Sequence, residues 1–217
     1  MWLSKVIDFL IPRKCVFCGS ITESENVCSE CGKNLPYREQ RQIDIEYADG
    51  AYAPFRYTQG VVKAIHRYKF GGAYQLAKPI GDYIAACLSD NLHQDVDIVT
   101  WVPVNRLRKL KRGYDQAQLL AQRVSKALGT ECVSVLVKRK NIAPQFSMRN
   151  PEARRENVKD AYALKDKARV EGKRVLLVDD VITTGATLSK CCELLMQAGA
   201  KGVVCAAFAK AGTSDKT

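Results

Sequence analysis

Residues Val175-Leu176-Leu177-Val178-Asp179-Asp180-Val181-Ile182-Thr183-Thr184-Gly185-Ala186-Thr187 form a run that few folds accommodate. Its apolar opening predicts a buried strand that delivers two adjacent carboxylates, Asp179 and Asp180, to its carboxyl end, where ligands bind in open α/β sheets. The loop that follows carries hydroxyls at 183, 184 and 187 around Gly185 and opens a helix. Free N–H groups, the helix dipole and those hydroxyls make an anion cradle suited to a monophosphate. Carboxylates beside such a cradle make sense if they hold sugar hydroxyls while the phosphate sits in the loop. An ordinary capped helix after a core strand would explain Thr183 and Gly185 but not two carboxylates in succession. Neither GxGxxG nor GxxxxGK[ST], the competing phosphate motifs, occurs in the chain.

The rest of the pattern predicts an α/β fold with a mostly parallel sheet flanked by helices. Strands are expected over 51–57, 97–104, 132–137, 174–179 and 202–208, and helices over 61–68, 74–88, 116–128 and 186–198. Such alternation implies right-handed βαβ units. Residues 36–50 read as a polar linker. Residues 141–160, with Pro144 and Pro151, read as a loop of the length that lids have. A short amphipathic helix is expected over 3–10. At 217 residues the chain has room for one main core and an appendage, divided here into 1–48 and 49–217. No apolar run is long enough for a transmembrane segment, and residues 1–11 are too mixed for a secretory signal, so a cytoplasmic protein is expected.

Nine cysteines without an export signal read as thiols or metal ligands. Cys15-x-x-Cys18 and Cys28-x-x-Cys31 place four thiolates around one ion, with Gly19 and Gly32 just after each pair. Four sulfurs make a closed tetrahedral zinc site, which is structural rather than catalytic. An iron–sulfur cluster also takes four Cys, and a single CxxC suffices for a redox pair. Cys87, Cys132, Cys191, Cys192 and Cys205 read as small buried hydrophobes.

Net charge is +11, and residues 103–160 carry 14 basic against five acidic side chains. That concentration predicts a polyanion or a phosphorylated small molecule as partner, the plain alternative being a solvated basic face. Arg106, Arg108, Lys109, Lys111 and Arg112 cluster near Tyr114, and Arg67 and Lys69 alternate with Tyr68 and Phe70. Cations interleaved with aromatics suit single-stranded nucleic acid, whose backbone follows the charge and whose bases stack. They serve equally well for the phosphates of a small ligand. His66 and His93 are the only histidines, so Ser-His or Cys-His catalysis has little material.

The 175–187 segment closely resembles the 5-phosphoribosyl 1-pyrophosphate (PRPP) binding motif of type I phosphoribosyltransferases. That resemblance implies that Asp179 and Asp180 hold ribose hydroxyls and that residues 183–187 hold the 5′-phosphate. It also implies that Val102-Pro103-Val104-Asn105, after Trp101, binds pyrophosphate through backbone amides, with magnesium bridging pyrophosphate and ribose. The order of a four-Cys knuckle, the His66–Gly72 segment, and Arg112-Gly113-Tyr114-Asp115-Gln116-Ala117 after the Val-Pro strand resembles the ComF family of competence proteins over nearly the whole chain. The family's usual amide after the aromatic residue is Asp115 here, which bears on any phosphate contact from that position. Lys138, Arg139, Gln145, Arg149, Arg154 and Asn157 fall in its lid. The resemblance implies a type I phosphoribosyltransferase-like domain with a small N-terminal zinc-binding subdomain, working on transforming single-stranded DNA beside partners that include a helicase. A metabolic phosphoribosyltransferase acting on a small nitrogenous acceptor is the alternative.

Overall fold

The computed structural model describes residues 13–24, 26–39, 42–139 and 161–212. The helix expected over 3–10, the loop expected over 141–160, and with it Gln145, Arg149, Arg154 and Asn157, lie outside them. In chain order the strands are β1 (Gln42–Ile43), β2 (Gly50–Tyr52), β3 (Phe55–Arg56), β4 (Ile98–Trp101), β5 (Glu131–Cys132), β6 (Leu136–Lys138), β7 (Tyr162–Leu164), β8 (Arg174–Val178), β9 (Val181–Ile182), β10 (Gly202–Ala206) and β11 (Ala209–Lys210). The helices are α1 (Ser29–Lys33), α2 (Gln59–Phe70), α3 (Ala77–Asn91), α4 (Arg106–Arg112), α5 (Gln116–Leu128) and α6 (Ala186–Gln197).

Six strands form the main sheet in the order β1-β2-β10-β8-β4-β5. Only the β1–β2 pair within it is antiparallel. From β4 the chain crosses through α5 to β5 on one side, and from β8 it crosses through α6 to β10 on the other. The order therefore reverses between β4 and β8, which opens a crevice at their carboxyl ends. Trp101 is level with Val178, so both strands leave the sheet at one height, and the Val102 amide still donates to the Val178 carbonyl at 3.0 Å. A smaller parallel sheet, β3-β11-β9, continues beyond the crevice, and β6 pairs with β7 as a separate ribbon.

Alternation along the strands feeds two cores. Leu176 and Val178 of β8 join the core under α2, α3 and α5, whereas Val175 and Leu177 join the core under α6. Helix α2 follows the same logic: Val61, Ala64, Ile65 and Tyr68 recur at helical spacing and are its buried face.

Four features differ from the sequence expectation. The strand expected over 51–57 breaks at Ala53 and Pro54, because proline offers no N–H to the ladder, and Phe55 resumes in the smaller sheet. The expected linker contains β1, whose Ile43 is buried. Strand 132–137 divides into β5 and β6, which join different sheets. The basic run 106–112 is a helix, capped by the Asn105 side chain and by Gly113 at φ +81°, and none of its residues is buried.

The knuckle is not a detached module. Val16 and Phe17, between the first two cysteines, are 1% and 2% exposed and belong to the core under α2. The Phe17 ring lies 5.5 Å from Phe55 and 6.2 Å from Phe208. Arg67 of α2 clamps the other side, its guanidinium donating to the carbonyls of Cys15 and Val16 at 3.1 Å each. Gly19 is required beneath it: φ is +84°, and a Cβ there would meet Arg67 Nη1 at 3.0 Å. Gly32, by contrast, sits within α1 without a positive φ. Phe17→Ala should therefore destabilise the whole chain by ~3–5 kcal/mol, as a buried ring in any core would. Chemical denaturation followed by Trp fluorescence checks this; a midpoint unmoved by the substitution would make the knuckle an independent unit.

Candidate functional site

Asp179 and Asp180 leave β8 at the crevice. The Asp179 amide donates to the Ala206 carbonyl at 2.9 Å, and the Asp180 carbonyl accepts from Phe208 at 3.1 Å, so the end of β10 and the residues after it hold this turn. Asp180 is 9% exposed and its carboxylate takes the Lys69 ammonium at 2.6 Å. The Asp179 carboxyl accepts from the Asp180 amide at 2.8 Å. Withdrawal from water, followed by the neighbouring Asp180 charge, raises Asp179 to about 8. Asp179 therefore holds its proton more tightly than an ordinary aspartate.

The loop from Thr183 turns into α6 through Gly185, at φ +81°, where an added Cβ would come within 2.6 Å of Ile45 Cδ1. The cap residue of α6 is Gly185, which offers no side chain, and of the exposed Thr183 and Thr184 the latter accepts from the Ala186 amide at 3.4 Å. Lys210 anchors the loop by donating to the Thr183 carbonyl at 2.8 Å. On the far side Tyr162 of β7 is hydrogen-bonded to Thr187 and accepts from Lys138 Nζ at 2.9 Å. Burial lowers the Lys138 pKa, and the Arg108 charge adds to that while Cys191 and Asp179 oppose it. Lys138, expected in the lid, lies in β6 against the Tyr162 ring. Arg139 continues the ribbon by its backbone, donating to the Ala161 carbonyl at 2.9 Å. Tyr162 lay beyond sequence reasoning, since nothing in Tyr162-Ala163-Leu164 distinguishes it from a packing residue.

The loop 102–105 leaves the end of β4, and two of its amides are engaged, that of Val102 on Val178 and that of Val104 on Asp115. Val104 donates to Asp115 Oδ2 at 3.2 Å, and the Asn105 side chain caps α4 by accepting from Arg108 at 2.7 Å. Asp115 is 5% exposed, caps α5 through Gln118 at 3.2 Å and also accepts from the Trp101 indole. Burial raises its pKa, and these hydrogen bonds oppose the shift.

Beside the crevice, α2 and α4 enclose a groove of about 740 Å³ whose lining includes Arg108, Lys111, Arg112, Tyr57, Phe70 and Tyr114. Phe70 is 63% exposed and the Arg112 guanidinium lies 4.7 Å above its ring. Of the cations expected at nucleic acid, Arg108, Lys111 and Arg112 line this groove, whereas Lys109 donates to Gln118 at 3.3 Å. Lys69 lines it too but is bonded to Asp180, and Arg67 is given over to the knuckle.

In the knuckle, the sulfurs of Cys15, Cys18, Cys28 and Cys31 all lie within 4.8 Å of one another, with Cys18 and Cys28 at 3.7 Å. A tetrahedral zinc with sulfur ligands at ~2.3 Å sets its sulfurs roughly 3.8 Å apart, so this set fits the ion closely. Hydrogen bonding from Ser20 lowers the Cys18 thiol to about 6. The other thiols behave as expected: Cys87, Cys191, Cys192 and Cys205 are buried, and Cys132 partly so.

A carboxyl whose folded pKa of about 8 exceeds its unfolded value binds its proton more tightly in the native state. Its stabilising effect is complete below about pH 4 and is lost as pH rises towards 8. Asp179→Asn keeps the uncharged form at every pH. We expect it to melt higher than the parent at pH 8, by at least about 2 °C, the shift that ~1 kcal/mol produces at this length. The difference should shrink at pH 5. Parallel melting curves at the two pH values would refute the assignment.

Two family models match the chain: a phosphoribosyl transferase domain over residues 110–217 and a double zinc ribbon domain over 6–42. They agree with a type I phosphoribosyltransferase-like sheet preceded by a four-Cys subdomain. Competence protein F of Haemophilus influenzae is 30% identical over 200 residues, covering 87% of this chain and 86% of its own. DNA utilization protein YhgH of Escherichia coli K12 is 30% identical, covering 87% and 80%, and competence protein ComFC of Streptococcus pneumoniae is 28% identical, covering 87% and 84%. Matched across both the thiolate knuckle and the crevice, the chain belongs to the ComF family of competence and DNA utilization proteins.

Proposed function

We propose that the chain handles single-stranded DNA during natural transformation, binding it in the groove between α2 and α4. Its phosphate loop holds PRPP or a related phosphoribosyl compound next to that groove. The observation that carries the DNA reading is the groove's make-up: three cations, Arg108, Lys111 and Arg112, face the aromatic rings of Tyr57, Phe70 and Tyr114. Cations follow a phosphate backbone, and rings stack bases whatever the sequence, each stack contributing ~1–3 kcal/mol. The family relatives' names, which speak of competence and DNA utilization, point the same way.

The phosphoribosyl reading rests on the exposed hydroxyls of Thr183 and Thr184 at the α6 N-terminus, the acidic pair and the family model over 110–217. Magnesium, where PRPP brings it, is held by the ligand's own phosphates. Among the described residues no helix is long and apolar enough to cross a membrane, and the reading places the protein in the cytoplasm. A helicase that supplies or consumes single strands is the protein partner it implies. Zinc in the knuckle keeps Cys15 to Phe17 in place under Arg67 and takes no part in chemistry.

A salt series on a labelled oligonucleotide tests the DNA site. Each phosphate neutralised on a single strand contributes about −0.7 to the slope of log affinity against log salt. Arg108→Ala with Lys111→Ala should flatten the slope by roughly 1.4, and Lys109→Ala should flatten it less. Affinity indifferent to salt, or a base auxotrophy in a deletion strain that still transforms, would favour the metabolic phosphoribosyltransferase instead.

A further inference from the structure

We propose that α4 docks the protein on an anionic membrane surface, with Leu107 and Leu110 entering the lipid and the surrounding cations meeting the headgroups. The inference concerns a different face of α4 from the one that lines the groove. Residues 106–111 are all exposed and α4 buries none of its side chains, so it is held by its caps at Asn105 and Gly113 rather than by packing. A helix of seven residues with no buried face is marginal, and an apolar pair turned outward on it calls for a cover. At ~100° per residue, Leu107 and Leu110 lie about 60° apart. Arg108, Lys111 and Arg112 centre about 120° round from that pair, on the groove side, and Lys109 lies a similar angle the other way, towards Gln118. The two leucines therefore face neither the groove nor α5. They are 61% and 71% exposed, and Leu110 is the most exposed large apolar side chain among the described residues.

Charge decides what covers them. Residues 103–114 hold five cations and no acidic side chain, and Arg106 and Lys111 border the leucines on either side. Arg106 and Arg108 stand in the first turn of α4, where a cation opposes the helix dipole and no acidic residue compensates. These charges do nothing for the helix itself and suit an anion outside it. A second copy seated face to face on α4 would set cations against cations. Nucleic acid accounts for the charge but not for the leucines, since its bases stack on rings rather than on aliphatic chains. A protein partner needs roughly 800 Å² on each side, far more than two leucines provide. A bilayer containing anionic lipid supplies both a negative surface and hydrocarbon within reach of a leucine, which is where basic amphipathic helices lie.

Co-sedimentation of the full chain with vesicles tests this, using phosphatidylcholine alone and equal parts of phosphatidylcholine and phosphatidylglycerol. The protein should sediment with the anionic vesicles and stay in solution with the neutral ones. Leu107→Ser with Leu110→Ser should weaken the association by about tenfold or more, since burial of even one leucine contributes about that much. Arg106→Ala should weaken it about fivefold, the effect of one cation near such a surface. Both leucines are exposed and outside the groove lining, so the double leucine variant should melt with the parent and keep its affinity for a labelled oligonucleotide. Sedimentation with neither vesicle, or equally with both, overturns the inference, as does a leucine variant that still binds anionic vesicles like the parent. Loss of vesicle and oligonucleotide binding together in that variant would assign the leucines to the DNA site and overturn it as well.

Discussion

Two successive carboxylates at the end of a buried strand repel each other, and the molecule is arranged around relieving that repulsion. Lys69 provides a cation to Asp180 at 2.6 Å from a helix 111 residues earlier in the chain. Asp179, beside that charge and withdrawn from water, holds its proton more tightly than an ordinary carboxyl. For Lys69 to reach Asp180, α2 must be fixed both along and about its axis. Arg67 does this from the knuckle side, and the Tyr68 hydroxyl does it from the core side by donating to the Gln116 carbonyl at 2.8 Å. The Tyr114 hydroxyl closes the end of α2 by donating to the Tyr68 carbonyl.

Successive residues on a helix point ~100° apart, so four of them sweep the whole circumference. The last turn of α2 uses every direction: Arg67 towards the thiolate knuckle, Tyr68 into the core, Lys69 onto the carboxylates and Phe70 into the groove under Arg112. This explains physically why a zinc-fitting subdomain, an acidic crevice and a basic groove occur in one chain. The knuckle sets the position of α2, and α2 then forms one wall of the groove and neutralises one side of the crevice.

What was legible in the sequence is whatever a local pattern encodes. The run from Val175 to Thr187 gives the strand, the carboxylates at its end and the turn into α6, since each step is fixed by residues adjacent in sequence. The spacing of Cys15, Cys18, Cys28 and Cys31 likewise gives the sulfur cluster. What was not legible depends on contacts across the fold. Helix α4 buries no residue, so its hydrophobic spacing carries no signal, although Asn105 and Gly113 mark its ends. Lys69 read as a nucleic-acid contact because its partner is distant, Arg67 because the carbonyls it holds are anonymous in sequence. Tyr162 and the packing of Phe17 against Phe55 are tertiary facts of the same kind. Asp115 stood out as a departure from the family pattern, but only the structure shows that it takes the Val104 amide.

The central claim is that Lys69 and Asp180 act as one unit, and a double-mutant cycle measures that directly. Lys69→Met and Asp180→Asn are compared with the double variant by denaturant unfolding at pH 7. The account predicts that each single change costs stability by stranding its partner, and that the double variant costs less than the two together, with a coupling of about 1 kcal/mol or more. Strictly additive losses would contradict it: α2 would then be held by the knuckle and the core alone, and the closeness of Lys69 to the acidic pair would have no energetic meaning.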